Sequence, residues 1–241
     1  MDLGLDGRAA LVCGGSRGLG RATAEALVAE GARVVLCARD EGRLAEAARQ
    51  LSRPGHQVEY RVADLHDPDA PATAVAATIE AFGAVDVVVA NAGGPPPGRA
   101  LEVDDDDILR AVDANFLSAV RLVRAALPSM RARRWGRVCC IASYSVVQPI
   151  PTLALSNSAR VGLWAWAKTA AQDLAVEQSG ITLNLACPGP HATDRMRELG
   201  GSGPMGDPAD FGKVVAFLCS EPARFVNGAA LVVDGGATLA L

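Results

Sequence analysis

The sequence predicts a single α/β domain, a doubly wound, seven-stranded parallel sheet with helices on both faces. Three observations carry this. Short apolar runs alternate with helix-period segments along the whole chain, as when crossover helices join parallel strands. Most of the runs are continuously apolar, as strands buried on both faces require. The first run also passes through a glycine-rich turn straight into a helix. No composition break divides the 241 residues, so one domain spans 1–241, long enough for a large core.

Taken in order, Arg8 to Cys13 is the first strand and runs into Gly14-Gly15-Ser16-Arg17-Gly18-Leu19-Gly20. Leu19, Ala22, Thr23, Ala26 and Leu27 then recur at helical spacing, and Gly31 closes that helix. A strand, a glycine turn and a helix together cradle phosphate. The glycines let backbone approach a pyrophosphate, and the helix N-terminus supplies free N–H groups. Arg33 to Ala38 is strand two, followed by Arg39. An acid at that place would favour the ribose hydroxyls of NAD(H). Here Arg39, with Arg17 nearby, suits a 2′-phosphate, so NADP(H) is favoured over NAD(H).

Asp40 to Arg53 reads as an amphipathic helix, Val58 to Val62 as strand three leading to Asp64-Leu65, Ala70 to Phe82 as a helix, and Val85 to Ala90 as strand four, ending Asn91-Ala92-Gly93-Gly94. Ligands of such sheets bind beyond the carboxyl ends of the strands. This places Gly14, Arg39, Asp64 and Asn91 on one rim, with Pro95 to Gly98 as a rigid loop over it. The acids Asp104 to Asp107 read as the cap of a helix running to about Arg134, with Asn115 at its middle and Pro128 kinking or interrupting it. Arg137 to Ala142 is strand five and delivers Ser143, Tyr144 and Ser145 to the rim. Ser156 to Gln178 is a helix apolar on several sides, hence deeply packed, with Trp164 and Trp166 in the core or a helix interface. Ile181 to Ala186 is strand six, followed by Pro188, Gly189, His191 and Thr193. A short lid over about 194–206, a last helix from Asp207 to Ser220, and strand seven from Ala230 to Val233 complete the chain.

Composition narrows the function. Hydrophobic residues make up 50% and charged residues 21%, ordinary for a globular domain. A net charge of −4 argues against a nucleic-acid binder. The basic run Arg131, Arg133, Arg134 and Arg137 reads as the solvated end of a helix. No apolar run reaches the length of about 20 residues that spans a bilayer, and the start of the chain does not read as a signal peptide. Six scattered cysteines read as reduced, buried hydrophobes, which fits a cytoplasmic location. His56, His66 and His191 are too dispersed to propose a metal site.

With these elements placed, the whole chain resembles the short-chain dehydrogenase/reductase family, especially its 3-oxoacyl-ACP-reductase-like branch. The carrying motifs are CGGSRGLG at Cys13 to Gly20, Asp64-Leu65, ANAGG at Ala90 to Gly94, Asn115, Ser143, NLACPG at Asn184 to Gly189 with Thr193, and VNGAALVVDGG near the C-terminus. The resemblance implies a Rossmann sheet and a nicotinamide cofactor held by Gly14, Ser16, Arg17, Gly18, Leu19, Gly20, Arg39, Asp64, Leu65, Asn91, Ala92, Gly93, Arg160, Pro188, Gly189 and Thr193. It also implies a homotetramer or homodimer built through the two long helices.

The family's catalytic set is Asn, Ser, Tyr and Lys. Asn115 and Ser143 match, but the usual spacing puts Ser156 where the tyrosine belongs and Arg160 where the lysine belongs. A serine hydroxyl is a far weaker acid than a phenol, and an arginine stays charged. The expected activity is NADP(H)-dependent interconversion of a carbonyl and a secondary alcohol on a small or acyl-type molecule. Ser143 would bind the carbonyl oxygen, Ser156 and Arg160 would orient substrate and ribose, and Tyr144 or His191 would supply the proton. The competing expectations are a cofactor-binding, redox-inactive regulatory or scaffold subunit, and a non-redox cyclase or dehydratase in the same pocket.

Overall fold

The computed structural model describes residues 1–53 and 55–239. Seven parallel strands form one sheet: β1 (Ala9–Cys13), β2 (Arg33–Ala38), β3 (Val58–Val62), β4 (Val87–Ala90), β5 (Gly136–Ile141), β6 (Ile181–Pro188) and β7 (Ala230–Val233). Their order is β3-β2-β1-β4-β5-β6-β7. The order reverses between β1 and β4, which opens a crevice at their carboxyl ends.

Period-two alternation within each strand feeds two separate cores. Ala10, Val12, Val34, Leu36, Val87, Val89, Cys139 and Ile141 pack with α1 (Gly18–Ala29), α2 (Glu41–Leu51) and α8 (Pro208–Leu218). Leu11, Cys13, Val35, Cys37, Val88, Ala90, Val138 and Cys140 pack with α3 (Ala70–Phe82), α5 (Ser118–Arg133) and α6 (Ala154–Val176). Because neighbouring residues supply opposite faces, the strands read as unbroken apolar runs. β3 departs from this. It is an edge strand with Glu59, Tyr60, Arg61 and Val62 exposed, and charge there blocks pairing with another chain. All six cysteines are buried free thiols.

Asp104 caps α4 (Asp105–Val112) by accepting the amide of Asp107, and Asp105, Asp106 and Asp107 fill the first turn, where negative charge meets the helix dipole. The long helix does break, but not at Pro128, which α5 runs through. The break is a π-turn over Asp113–Leu117, where the Ser118 amide reaches back to the Asp113 carbonyl. Such bulges widen a helix by one residue and are frequent at functional sites. Asn115 stands in this one.

Two other expectations are corrected. α6 buries a single stripe, Leu155, Ser156, Ala159, Arg160, Leu163, Ala167, Ala171 and Leu174, while Val161 is exposed and Trp164 and Trp166 are half-buried. Its remaining apolar surface therefore faces outward. Arg137 is not solvated either. It is buried at the start of β5, donating to the Ser220, Gly136 and Gly180 carbonyls and to Glu221 Oε2 at 2.9 Å. Of the rest of the basic run, Arg131 pairs with Glu177 and Arg133 with Asp86, and Arg134 donates to the Gln178 carbonyl.

α1 and α8 touch closely because Gly212 has no side chain. A Cβ there would stand 2.4 Å from the Ala22 carbonyl oxygen. Gly212→Ala is expected to push the two helices apart and to destabilise the fold by about 1–3 kcal/mol, the usual cost of overpacking. Chemical denaturation measures this, and an unchanged midpoint would show that the contact yields.

Candidate active site

The glycine turn is held shut against the end of β4. Gly14 lies at φ +62°, a left-handed conformation that favours glycine. A Cβ on Gly14 would meet Asn91 Nδ2 at 2.4 Å, and one on Gly20 would sit 2.3 Å from the Gly14 carbonyl oxygen. Gly14, Gly20 and Asn91 thus interlock, which brings the start of α1 down onto the sheet. α1 has no side-chain cap and no acid in its first turn, so its N–H groups and positive dipole end face the crevice. Gly18 leaves room beside Thr193. This is a cradle for an anion, and it fits the pyrophosphate of a dinucleotide.

Around the cradle, Arg39 is exposed at the end of β2 and has no ion-pair partner among the described residues. Arg17 is half-exposed and reaches Asp194 and Glu198 at 3.9 and 3.8 Å, a loose tie from the glycine turn to the short helix α7 (Asp194–Glu198). Asp64 accepts the His66 amide, and Leu65 lines a small cavity with Ala90, Asn91, Ala92, Asn115 and Arg160. The cavity is about 10 Å³, on the order of a single water. Gly189 is pressed against Asp234, and Thr193 caps α7 by accepting the Met196 amide.

The second half of the site is built on Arg160. Its guanidinium is buried at 9% exposure in the stripe of α6 that faces the sheet. It donates to the last carbonyls of β5, Ala142 at 2.5 Å and Ile141 at 3.3 Å, to Asn115 Oδ1 at 3.2 Å and to Ser156 Oγ at 3.1 Å. Asn115 steadies itself by donating to the Ala111 carbonyl. Burial pulls the Arg160 guanidinium down from its ordinary value to about 10, so it remains a cation at neutral pH. The partners are neutral dipoles, and no carboxylate pairs with it among the described residues.

Ser143 starts a 3-10 turn over Tyr144–Val146. Its Oγ accepts the Ser145 amide at 3.1 Å, which leaves the hydroxyl proton free to donate into the crevice. Tyr144 is half-buried in that turn. His191 is placed differently from its expected role as a proton donor. It is 5% exposed, its Nδ1 lies 3.0 Å from the Gly189 carbonyl, and its ring stacks edge-on to Phe211 at 5.2 Å. A ring packed between Phe211 and Gly206 pins the loop and does not serve the crevice.

Sequence reasoning missed two further pieces. Arg195 of α7 donates from Nη2 to the Pro95 carbonyl at 2.8 Å, which holds the lid helix to the loop after β4. Asn157 donates to the Ile150 carbonyl at 2.9 Å and shapes the entry to α6. Neither stands in a periodic or motif context, so spacing carried no signal for them.

The open positive charge of Arg160 makes one substitution informative. Asn115→Asp would place a carboxylate 3.2 Å from Nη2. Exchange of a neutral hydrogen bond for a charged one is expected to stabilise the protein by about 1 kcal/mol at pH 7. The cation would depress the folded pKa of that carboxylate. The gain is therefore full above the unfolded value of about 3.9 and lost as pH falls through the folded one. Thermal unfolding of both proteins from pH 7 to pH 3 measures the difference. A variant less stable at every pH would contradict this account of the charge.

Comparison with known proteins agrees with this architecture. Residues 8–201 match the family model for short chain dehydrogenase. The oxidoreductase UcpA of Escherichia coli (strain K12) is 32% identical, with 98% of this chain and 96% of that protein covered. The 3-oxoacyl-[acyl-carrier-protein] reductase FabG of Salmonella typhimurium is 33% identical, with 97% and 98% covered. The crystal structure of L-sorbose reductase from Gluconobacter frateurii, complexed with NADPH and L-sorbose, superposes with a TM-score of 0.92 at 31% identity over the whole of both chains. The glycine cradle at the switch point, the Asn115–Arg160 cluster at the end of β5 and these matches together place the chain in the short-chain dehydrogenase/reductase family.

Proposed function

We propose that this protein is an NADP(H)-dependent oxidoreductase that interconverts a carbonyl group and a secondary alcohol on a small or acyl-type molecule. The observation that carries the reading is the shared rim. The glycine cradle interlocks with Asn91, and Asn91 lines one small cavity with Asn115 and Arg160, the latter hydrogen-bonded to Ser156, while Ser143 follows the end of neighbouring β5. The likeness to UcpA, to FabG and to a reductase crystallised with NADPH supports it. The buried free cysteines suit a cytoplasmic enzyme, and a homodimer or homotetramer would cover the outward apolar side of α6.

Gly14, Ser16, Gly18, Leu19 and Gly20 would hold the pyrophosphate. Arg39, with Arg17, would take the 2′-phosphate, Asp64 and Leu65 the adenine side, and Asn91, Ala92, Gly93, Pro188, Gly189 and Thr193 the nicotinamide half. The nicotinamide supplies the hydride. The chain's own part is orientation and charge. Ser143 donates its free hydroxyl proton to the carbonyl oxygen, and Arg160 keeps a positive charge beside the alkoxide that develops there. Tyr144 is the remaining phenol at the rim and supplies the proton. A positioned acid is worth about 10²–10⁴ in rate, so its replacement sets how fast the enzyme runs.

The Arg160–Ser156 hydrogen bond favours a second reading. Ser156 Oγ accepts from Arg160, and its own hydroxyl proton, though free, belongs to a far weaker acid than a phenol, so a cofactor-binding protein without redox turnover is the alternative. Fluorescence titration with NADPH and NADH, followed by a carbonyl panel, separates the two. Tight NADPH binding with consumption supports the oxidoreductase, binding without consumption supports the alternative, and turnover without any cofactor would indicate a cyclase or dehydratase. Arg39→Asp is expected to weaken NADPH binding by about tenfold, as loss of a charged phosphate contact does. Unchanged affinity would remove Arg39 from the site. Tyr144→Phe is expected to lower turnover by about tenfold or more, and a full rate would eliminate Tyr144 as the donor.

A further inference from the structure

Two guanidiniums converge where the chain leaves β4. A Cβ built on Gly94 would stand 3.4 Å from Arg195 Nη2, 3.6 Å from Arg195 Nε and 3.8 Å from Arg160 Nη2. One cation comes from the floor of the crevice, on α6, and the other from its roof, on α7. Like charges that converge on one position repel. The positive charge of Arg195 indeed adds to the effect of burial in lowering Arg160. An anion beside Gly94 would lie within reach of both cations and offset their repulsion.

Neighbouring acids do not fill that role. Glu198 approaches Arg195 Nη1 at 3.6 Å, but it is half-exposed and shared with Arg17. Arg160 has no carboxylate partner among the described residues, although it is 9% exposed. The other buried arginine shows what a structural charge looks like in this fold. Arg137, 2% exposed, has Glu221 at 2.9 Å. The carbonyl of Pro95 holds Arg195 over the gap, and Gly94 leaves the gap free of side chain.

We propose that Arg160 and Arg195 form a carboxylate-binding subsite at Gly94, so that the substrate is a carbonyl or hydroxy compound carrying a free carboxylate. Its role in catalysis rests on the oxidoreductase reading, but its binding does not. Arg195 turns its Nε and Nη2 toward Gly94 and Arg160 has one N–H of Nη2 left to donate there, so a carboxylate can accept from both, and a neutral ester of the same shape gains no charge pairing. The floor guanidinium also touches Ser156 and Asn115, so a carboxylate on it orients the rest of the molecule toward Ser143.

The test is calorimetric binding of acetoacetate and of its neutral methyl ester, with and without saturating NADP+. Acetoacetate is expected to bind about tenfold or more tightly than the ester in both states, the worth of a charge-assisted contact. Arg195→Gln is expected to abolish that preference. Arg195 is half-exposed, so this variant keeps the fold, which circular dichroism checks. Equal binding of acid and ester, no saturable acetoacetate binding, or a preference that survives Arg195→Gln would each overturn the subsite. A preference lost when NADP+ is bound would show that the two arginines serve a cofactor phosphate, and would overturn it too. Acid-selective binding without NADPH consumption would leave the subsite standing and remove the reductase. NADPH consumption without acid selectivity would do the reverse.

Discussion

Everything polar in this molecule is governed by one constraint, a parallel sheet covered by helices on both faces. Five of its strands run with nearly every side chain buried, so neither face can hold chemistry. The buried charges Asp86, Arg137 and Arg160 lie where the strands begin or end. At the amino end Arg137 is buried and matched by Glu221, whose carboxylate also accepts the Trp135 indole at 2.8 Å. That carboxyl is held below the ordinary glutamate value, chiefly by the Trp135 bond, with Arg137 adding to it. At the carboxyl end Arg160 is buried against the Ile141 and Ala142 carbonyls and has no acid partner among the described residues. The first arrangement neutralises its buried charge with an acid, whereas the second solvates its charge with carbonyl, amide and hydroxyl oxygens.

The carboxyl rim is built by loops that hold one another. Asn91 is wedged between Gly14 and Gly20, and the loop after β4 is zipped to the start of α6 by the Gly98 amide on the Thr152 carbonyl and the Ala154 amide on the Gly98 carbonyl. The lid is tied on three sides: Arg17 to Asp194 and Glu198, Arg195 to Pro95, and the Gly206 amide to the Pro190 carbonyl. The ion pairs are exposed and long, so each is worth little, and the lid can part from the glycine turn at small cost. The inner hydrogen bonds of Arg160 are the rigid part, and they fix the crevice floor while the roof adapts.

Sequence and fold meet most closely in the strands and the glycine turn. Continuous apolar runs, the Gly14–Gly20 spacing and the Asp104 cap are local properties, and local sterics and hydrogen bonding decide them. The break in the long helix shows the limit. Pro128 is the residue with an intrinsic reason to break a helix, yet α5 continues through it. The π-turn forms at Asn115, where a buried amide can reach a cation 45 residues further on. His191 shows the same limit from the other side. Its proximity in sequence to Pro188 and Thr193 suggested the crevice, but packing on Phe211 turned it away.

By itself the sequence determined the doubly wound sheet and the glycine turn between its first strand and helix, because these depend on residue type at fixed local spacing. Only the tertiary structure decided what surrounds Arg160. Whether a buried guanidinium meets a carboxylate, a carbonyl or another guanidinium depends on residues far apart in the chain. Ser156 is a neighbour one turn back on α6, but Asn115, Ile141, Ala142 and Arg195 are brought to Arg160 by the packing of α6 against the end of β5 and by the folding of α7 across the rim.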